Sequence, residues 1–245
     1  MIQSLLLVFS IVLPNDVSHA VATSVADAES YVLAGERAQA VGANAEAIRN
    51  YMTGVTRLTD IKTHYSSRLD TSRKLDIADY LMFALTQVAV LQHAHQDARP
   101  FLLRAYSIAR EEMPVDCSAA DLFVHDKSLA GFSRFSTLVQ TNAPPRGQFA
   151  RSDALADALQ YGATGQLRKA LDILNMTLDR DFDKYGDSEP LFFKGEVLRA
   201  LGDEKDARKA FWDSIASNST GITIFGLVRG QVLSAGALAI SKTSP

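Results

Sequence analysis

The sequence predicts an all-α chain built from repeated helix pairs. Three observations predict it: apolar residues recur at three- and four-residue spacing from about residue 26 onward, strand-like alternation is nowhere sustained, and one set of small and large residues returns at fixed intervals. With 245 residues, 47% of them hydrophobic and 22% charged, the chain can bury a sizeable core as one or two compact units.

The first residues read as an address ahead of the fold. Residues 5–13 (LLLVFSIVL) form an apolar run too short to span a bilayer, followed by Pro14, Asn15 and a zone of small residues. Ser18-His19-Ala20 and Ala20-Val21-Ala22 both satisfy the small-x-small rule of signal peptidase, so residues 1–22 are expected to be a signal peptide, with the mature chain starting at Val21 or Thr23. The expected localisation is exported, periplasmic or secreted. Against the usual pattern, Met1-Ile2-Gln3-Ser4 supplies no Lys or Arg.

The repeat is carried by five positions. Gly35, Gly42, Ala47, Tyr51 and Gly54 are spaced seven, five, four and three residues apart, and so are Gly195, Gly202, Ala207, Phe211 and Ser214. A third copy runs Ala158, Gly165, Ala170, Leu174 and Thr177, and a weaker one runs Thr86, His93, Ala98, Leu102 and Ala105. Helices approach closely only where the crossing residues are small, and a large residue at the fourth position fills the remaining space. The glycine at the second position is expected to end the first helix in a left-handed turn.

Small residue, Gly turn, Ala and aromatic at these intervals resemble the tetratricopeptide repeat, and the string HQDARPFLLRAYSIAREE resembles the longer repeats of the kinesin light chain group. The matches cover about half the chain. The closing Pro of the family repeat is missing, and the large residue that starts its first helix is weak in the earliest copy. The resemblance implies an α-solenoid of antiparallel helix pairs wound as a right-handed superhelix, with connecting and capping helices.

Several departures from an even array mark the domain plan. Between Gly42 and His93 the spacing is long, which places a lengthened second helix or a projecting loop around residues 56–72. Residues 118–142 are expected to add one or two helices outside the repeat. Ala143-Pro144-Pro145-Arg146-Gly147 breaks any helix, so residues 143–150 read as a linker between an amino-terminal block (23–142) and a carboxy-terminal block (151–245). The apolar tail 221–240 is in place to cap the last repeat, since Arg229 at its middle is costly in lipid and no stable membrane span is expected.

Chemistry is harder to find. The 25 basic and 28 acidic residues are interspersed, without the basic footprint of a nucleic-acid binder. His93-Ala94-His95-Gln96-Asp97 matches five places of the H-x-H-x-D-H metal motif, but Ala98 stands where the last His belongs, so exposed turn histidines are expected. Asp179 to Asp183 lacks the spacing of an EF-hand, and no hydrolase, zincin or P-loop signature occurs. Cys117 is expected to be a buried structural thiol. Asn218-Ser219-Thr220 would accept a glycan in a eukaryotic secretory route.

The expected function is a non-catalytic scaffold or adaptor holding a protein or peptide, with no metal and no cofactor. The alternatives are a self-assembling structural protein or an enzyme with an unrecognised site, and a homo-oligomer is allowed. In the tetratricopeptide family the first helix of each pair lines a concave groove. Carried over, that groove comprises Val32, Glu36 and Gln39; Phe83, Gln87 and Val90; Leu155 and Leu159; and Phe192, Glu196 and Arg199. Phe83 and Phe192 would serve as exposed apolar anchors, and Glu36 and Glu196 would favour a basic or amide-rich peptide. The Lys and Asn with which chaperone-binding members grip a terminal carboxylate are absent from these places.

Overall fold

Three glycines set the folding pattern. Gly42, Gly165 and Gly202 all have positive φ, at 78°, 77° and 87°. At each, the glycine N–H bonds the carbonyl three residues back, and the next N–H bonds the carbonyl five back: Gly42 to Gln39 and Ala43 to Ala38, Gly165 to Gly162 and Gln166 to Tyr161, Gly202 to Arg199 and Asp203 to Leu198. That pair of bonds satisfies carbonyls left open at a helix end, and a Cβ would resist the left-handed conformation. The repeat's second position therefore acts as the sequence predicts.

A computed structural model describes residues 14–93, 97–126, 129–142, 150–179, 188–217 and 227–240. Outside them lie the apolar run 5–13, the centre of the His93–Asp97 string, Pro144-Pro145, the acidic stretch 181–183, Asn218-Ser219-Thr220 and the start of the tail. The described residues form eleven α-helices and no strand: α1 (Pro14–Ala40), α2 (Asn44–Tyr65), α3 (Thr71–Gln92), α4 (Arg99–Glu112), α5 (Pro114–Asp126), α6 (Leu129–Asn142), α7 (Ala150–Ala163), α8 (Leu167–Asp179), α9 (Ser188–Ala200), α10 (Glu204–Ala216) and α11 (Leu227–Ile240). Consecutive helices pack on one another. The long spacing after Gly42 is taken up by α2, which runs through Tyr65 into a 3-10 turn at Ser66–Arg68. Residues 118–142 fall in two helices, α5 and α6.

Close crossings follow the small and large positions. A Cβ on Gly35 would sit 2.7 Å from the Tyr51 ring, one on Gly195 would sit 2.3 Å from Phe211, and one on Gly54 would sit 2.6 Å from Val32. Ala47, Ala170 and Ala207 are fully buried, as are Tyr51, Leu174 and Phe211. Gly35, near the end of α1, meets Tyr51 near the start of α2, and Asp27, farther back on α1, meets Arg57 farther along α2, so the pair is antiparallel. In the weaker copy His93 stays right-handed, with φ −53°. Its ring stacks on Trp212 of α10 at 3.7 Å, and the Val88–Leu91 stretch that precedes it is helical.

The chain does not simply run on in sequence. Helix α11 packs against α9 and α10, and also against α4 and α3; α10 meets α3 as well. Gly230 brings α11 against the backbone of Ser188 and Glu189, where a Cβ would lie 2.4 Å away, and Gly236 seats it on the Tyr106 ring of α4. Arg229 pairs with Asp116 of α5 at 2.6 Å and with Glu189 of α9 at 3.0 Å. One helix among the described residues, Thr71–Gln92, is long and apolar enough to cross a membrane, and most of it is buried here as core. Cys117 is buried, and burial pushes its thiol up to about 12.

Replacing Ala207 with Leu should overpack the α9–α10 crossing and cost about 1–3 kcal/mol. Thermal unfolding reads it: a lowered melting temperature is expected, and an unchanged one shows that the assigned crossing position is wrong.

Candidate functional site: an acidic face on α1 and α3

The eleven groove positions are mostly inside the protein. Val32, Phe83, Gln87, Leu155, Leu159, Phe192, Glu196 and Arg199 are buried; Glu36, Gln39 and Val90 are half-buried. The expectation that Phe83 and Phe192 are exposed anchors is therefore corrected. Phe83 packs edge-on against Tyr51, with centroids 6.1 Å apart. Phe192 is enclosed by Phe123 of α5, Phe135 of α6, Phe193 of α9 and Phe211 of α10. Each such ring contributes about 1.5–3 kcal/mol by leaving water, so these positions belong to the core.

Glu196 is likewise committed internally. Its carboxylate accepts from Arg199 at 3.1 Å, and the Arg199 guanidinium lies 4.8 Å from the centroid of the Phe211 ring. Burial pushes the Glu196 carboxyl up to about 7, opposed by Arg199. It is not available to a basic peptide at the surface. The polar groove residues of the first two copies do converge, on one another. Gln39 Nε2 donates to Gln87 Oε1 at 3.0 Å, the Tyr51 hydroxyl donates to Gln39 Oε1 at 2.8 Å, and Gln87 Nε2 donates to the Ile215 carbonyl of α10 at 3.4 Å.

The stripe containing Phe83 and Gln87 opens toward the amino-terminal end of α3. Arg73, Asp76 and Tyr80 continue it at three- and four-residue steps, while Glu29 lies seven residues before Glu36 on α1. Asp70 fixes the start of α3 by accepting from the Arg73 backbone N–H at 2.8 Å. The Arg73 guanidinium stands between two carboxylates, 3.9 Å from Glu29 and 3.7 Å from Asp76. Tyr80 is half-buried beside them. Its hydroxyl is held above the ordinary phenol range, first by burial and then by Glu29, Asp76 and Glu36, with Arg73 acting the other way. Burial, with Asp76 adding to it and Arg73 opposing, also raises the Glu29 carboxyl. The face thus presents one aromatic ring amid three acidic side chains and one basic one.

Sequence reasoning named Glu36 of this face and missed Glu29, Arg73, Asp76 and Tyr80. The signal was present, because extending the Phe83–Gln87 stripe backward along α3 reaches Tyr80 and Asp76. Among the described residues no group of three His, Cys, Asp or Glu side chains could hold a metal ion. No protein-family profile matches the chain, and no curated protein or solved structure matches it significantly.

Next to Tyr80, Asp79 has its carboxyl pushed up from 3.8 to about 6, first by burial and then by Asp76 and Glu112. The folded protein therefore holds this proton more tightly than the unfolded chain, so Asp79 contributes stability below about pH 3.8 that is lost as the pH rises through about 6. Asp79→Asn should raise the melting temperature at pH 8 and change it little at pH 4. Identical shifts at both pH values would show that the carboxyl is not held in this way.

Proposed function

We propose that this chain is an exported, non-catalytic binding scaffold, and that the face formed by α1 and the amino-terminal part of α3 takes a basic segment of a protein or peptide. The observation that carries the reading is the half-buried Tyr80 with Glu29, Glu36 and Asp76 about it, and the Arg73 guanidinium between Glu29 and Asp76. A Lys or Arg side chain laid across this face gains the attraction of the carboxylates and the face of an aromatic ring. Competition with Arg73 sets the preference: a ligand cation displaces or shares its place between Glu29 and Asp76.

We also propose that the helix pairs form a tetratricopeptide-like right-handed array. That reading is supported by three turns of one geometry at the same repeat position and by the small and large residues at each crossing. On this reading α1 and α3 are first helices of neighbouring pairs, the side of such arrays that carries ligands. The apolar run at residues 5–13, with small residues after it, supports export.

The test is fluorescence anisotropy with labelled peptides of equal length, one Lys-rich and one Glu-rich. Binding of the Lys-rich peptide is expected, weakening as salt screens exposed charges and falling about tenfold with Glu36→Lys or Tyr80→Ala. Equal affinity for both peptides, or affinity unmoved by these substitutions, overturns the assignment of this face.

A further inference from the structure

Helix α1 runs straight through the expected processing zone, and its details there fit a later start. Its buried stripe comprises Val21, Val25, Ala28 and Val32, while His19, Ala20, Ala22, Thr23 and Ser24 are exposed. The Thr23 and Ser24 hydroxyls turn backward, bonding the His19 and Ala20 carbonyls at 2.9 Å each. That use of a hydroxyl inside a helix adds little. Yet Ser24-Val25-Ala26-Asp27 has the form of a capping box, a helix-start signature standing ten residues inside the helix.

We infer that signal peptidase cuts the bond between Ala20 and Val21, and that the processed α1 begins with Ser24 as its N-cap. The inference rests on the exported reading above. Water adds across the peptide bond, leaving a carboxylate on Ala20 and a free amine on Val21. Two observations choose this bond over the one after Ala22. In the uncut helix Val21 is 6% exposed and belongs with Val25, Leu58 and Ile61 to one apolar cluster; a start at Thr23 removes that side chain, whereas a start at Val21 leaves it just ahead of the cap, within reach of the cluster. A start at Thr23 also places the new positive amine directly before the cap, at the positive end of the helix dipole. In the processed chain the Ala20 carbonyl is gone, and the Ser24 hydroxyl is free to accept from the Asp27 N–H. Asp27, bound to Arg57 through one oxygen, keeps its other oxygen for the Ser24 N–H.

The full gene is expressed in an exporting host, and the intact mass of the exported protein is measured. A start at Val21 is expected. A start at Thr23 overturns the choice of bond but leaves export standing, whereas Met1-bearing protein found only in the cytosol overturns the exported reading itself. The cap is tested separately with Ser24→Ala in the exported protein and in the uncut chain produced without export. The substitution should lower the melting temperature by about 2–4 °C in the processed protein and leave the uncut chain unchanged, with Ser24→Asp retaining the wild-type value. Equal loss in both forms, or none in the processed form, overturns the cap.

Discussion

The backbone-to-backbone approach of α11 to the start of α9 is the constraint on which the arrangement depends. With no side chain at Gly230, α11 can sit against Ser188 and Glu189, and this places a set of polar groups within reach of each other. The Ser214 hydroxyl lies 2.6 Å from the Ser188 carbonyl and 3.2 Å from that of Gly230, and Ser234 bonds Ser214 at 2.8 Å. Gln231 reaches the Ile215 carbonyl at 3.2 Å, the same carbonyl that Gln87 uses from α3. Buried amides and hydroxyls are costly unless paired, so these contacts favour one seating of α11 over its neighbours.

Local features of the fold were legible in the sequence because they are decided locally. A glycine at each short turn and an alanine at each crossing answer to backbone geometry within one helix pair, and Gly42, Ala47, Gly202 and Ala207 occupy the places the spacing gives them. The return of the chain was not legible. Nothing near Arg99 in the sequence indicates that its Nε donates to the Ala239 carbonyl at 3.1 Å, and nothing near His93 indicates Trp212. The burial of Phe192 was not legible for the same reason. An exposed Phe192 supposes that its helix faces solvent there, whereas Phe123 and Phe135, from helices outside the repeat, close over it.

Charge divides along the same lines. Arg229, expensive in lipid on sequence grounds, is used here to tie α5 and α9 to α11 through Asp116 and Glu189. Buried Glu196 serves Arg199, and neither is left to recognise anything outside. The acids around Tyr80 differ in being half-buried, with the Arg73 guanidinium between Glu29 and Asp76. Burial, the first cause of the raised Glu29 and Asp79 carboxyls, opposes their ionised forms in the folded protein.

Because α11 lies between α4 and the α9–α10 pair, the two halves of the protein share a wall that neither can supply alone. While the chain is being made, α1 to α4 can assemble from near neighbours, but the side of the Tyr106 ring that takes Gly236 stays uncovered until α11 is present. That interval leaves an apolar surface in water, open to other chains in the same state. Maturation of this protein is therefore most vulnerable late, after most of its helices have formed and before its final contact is made.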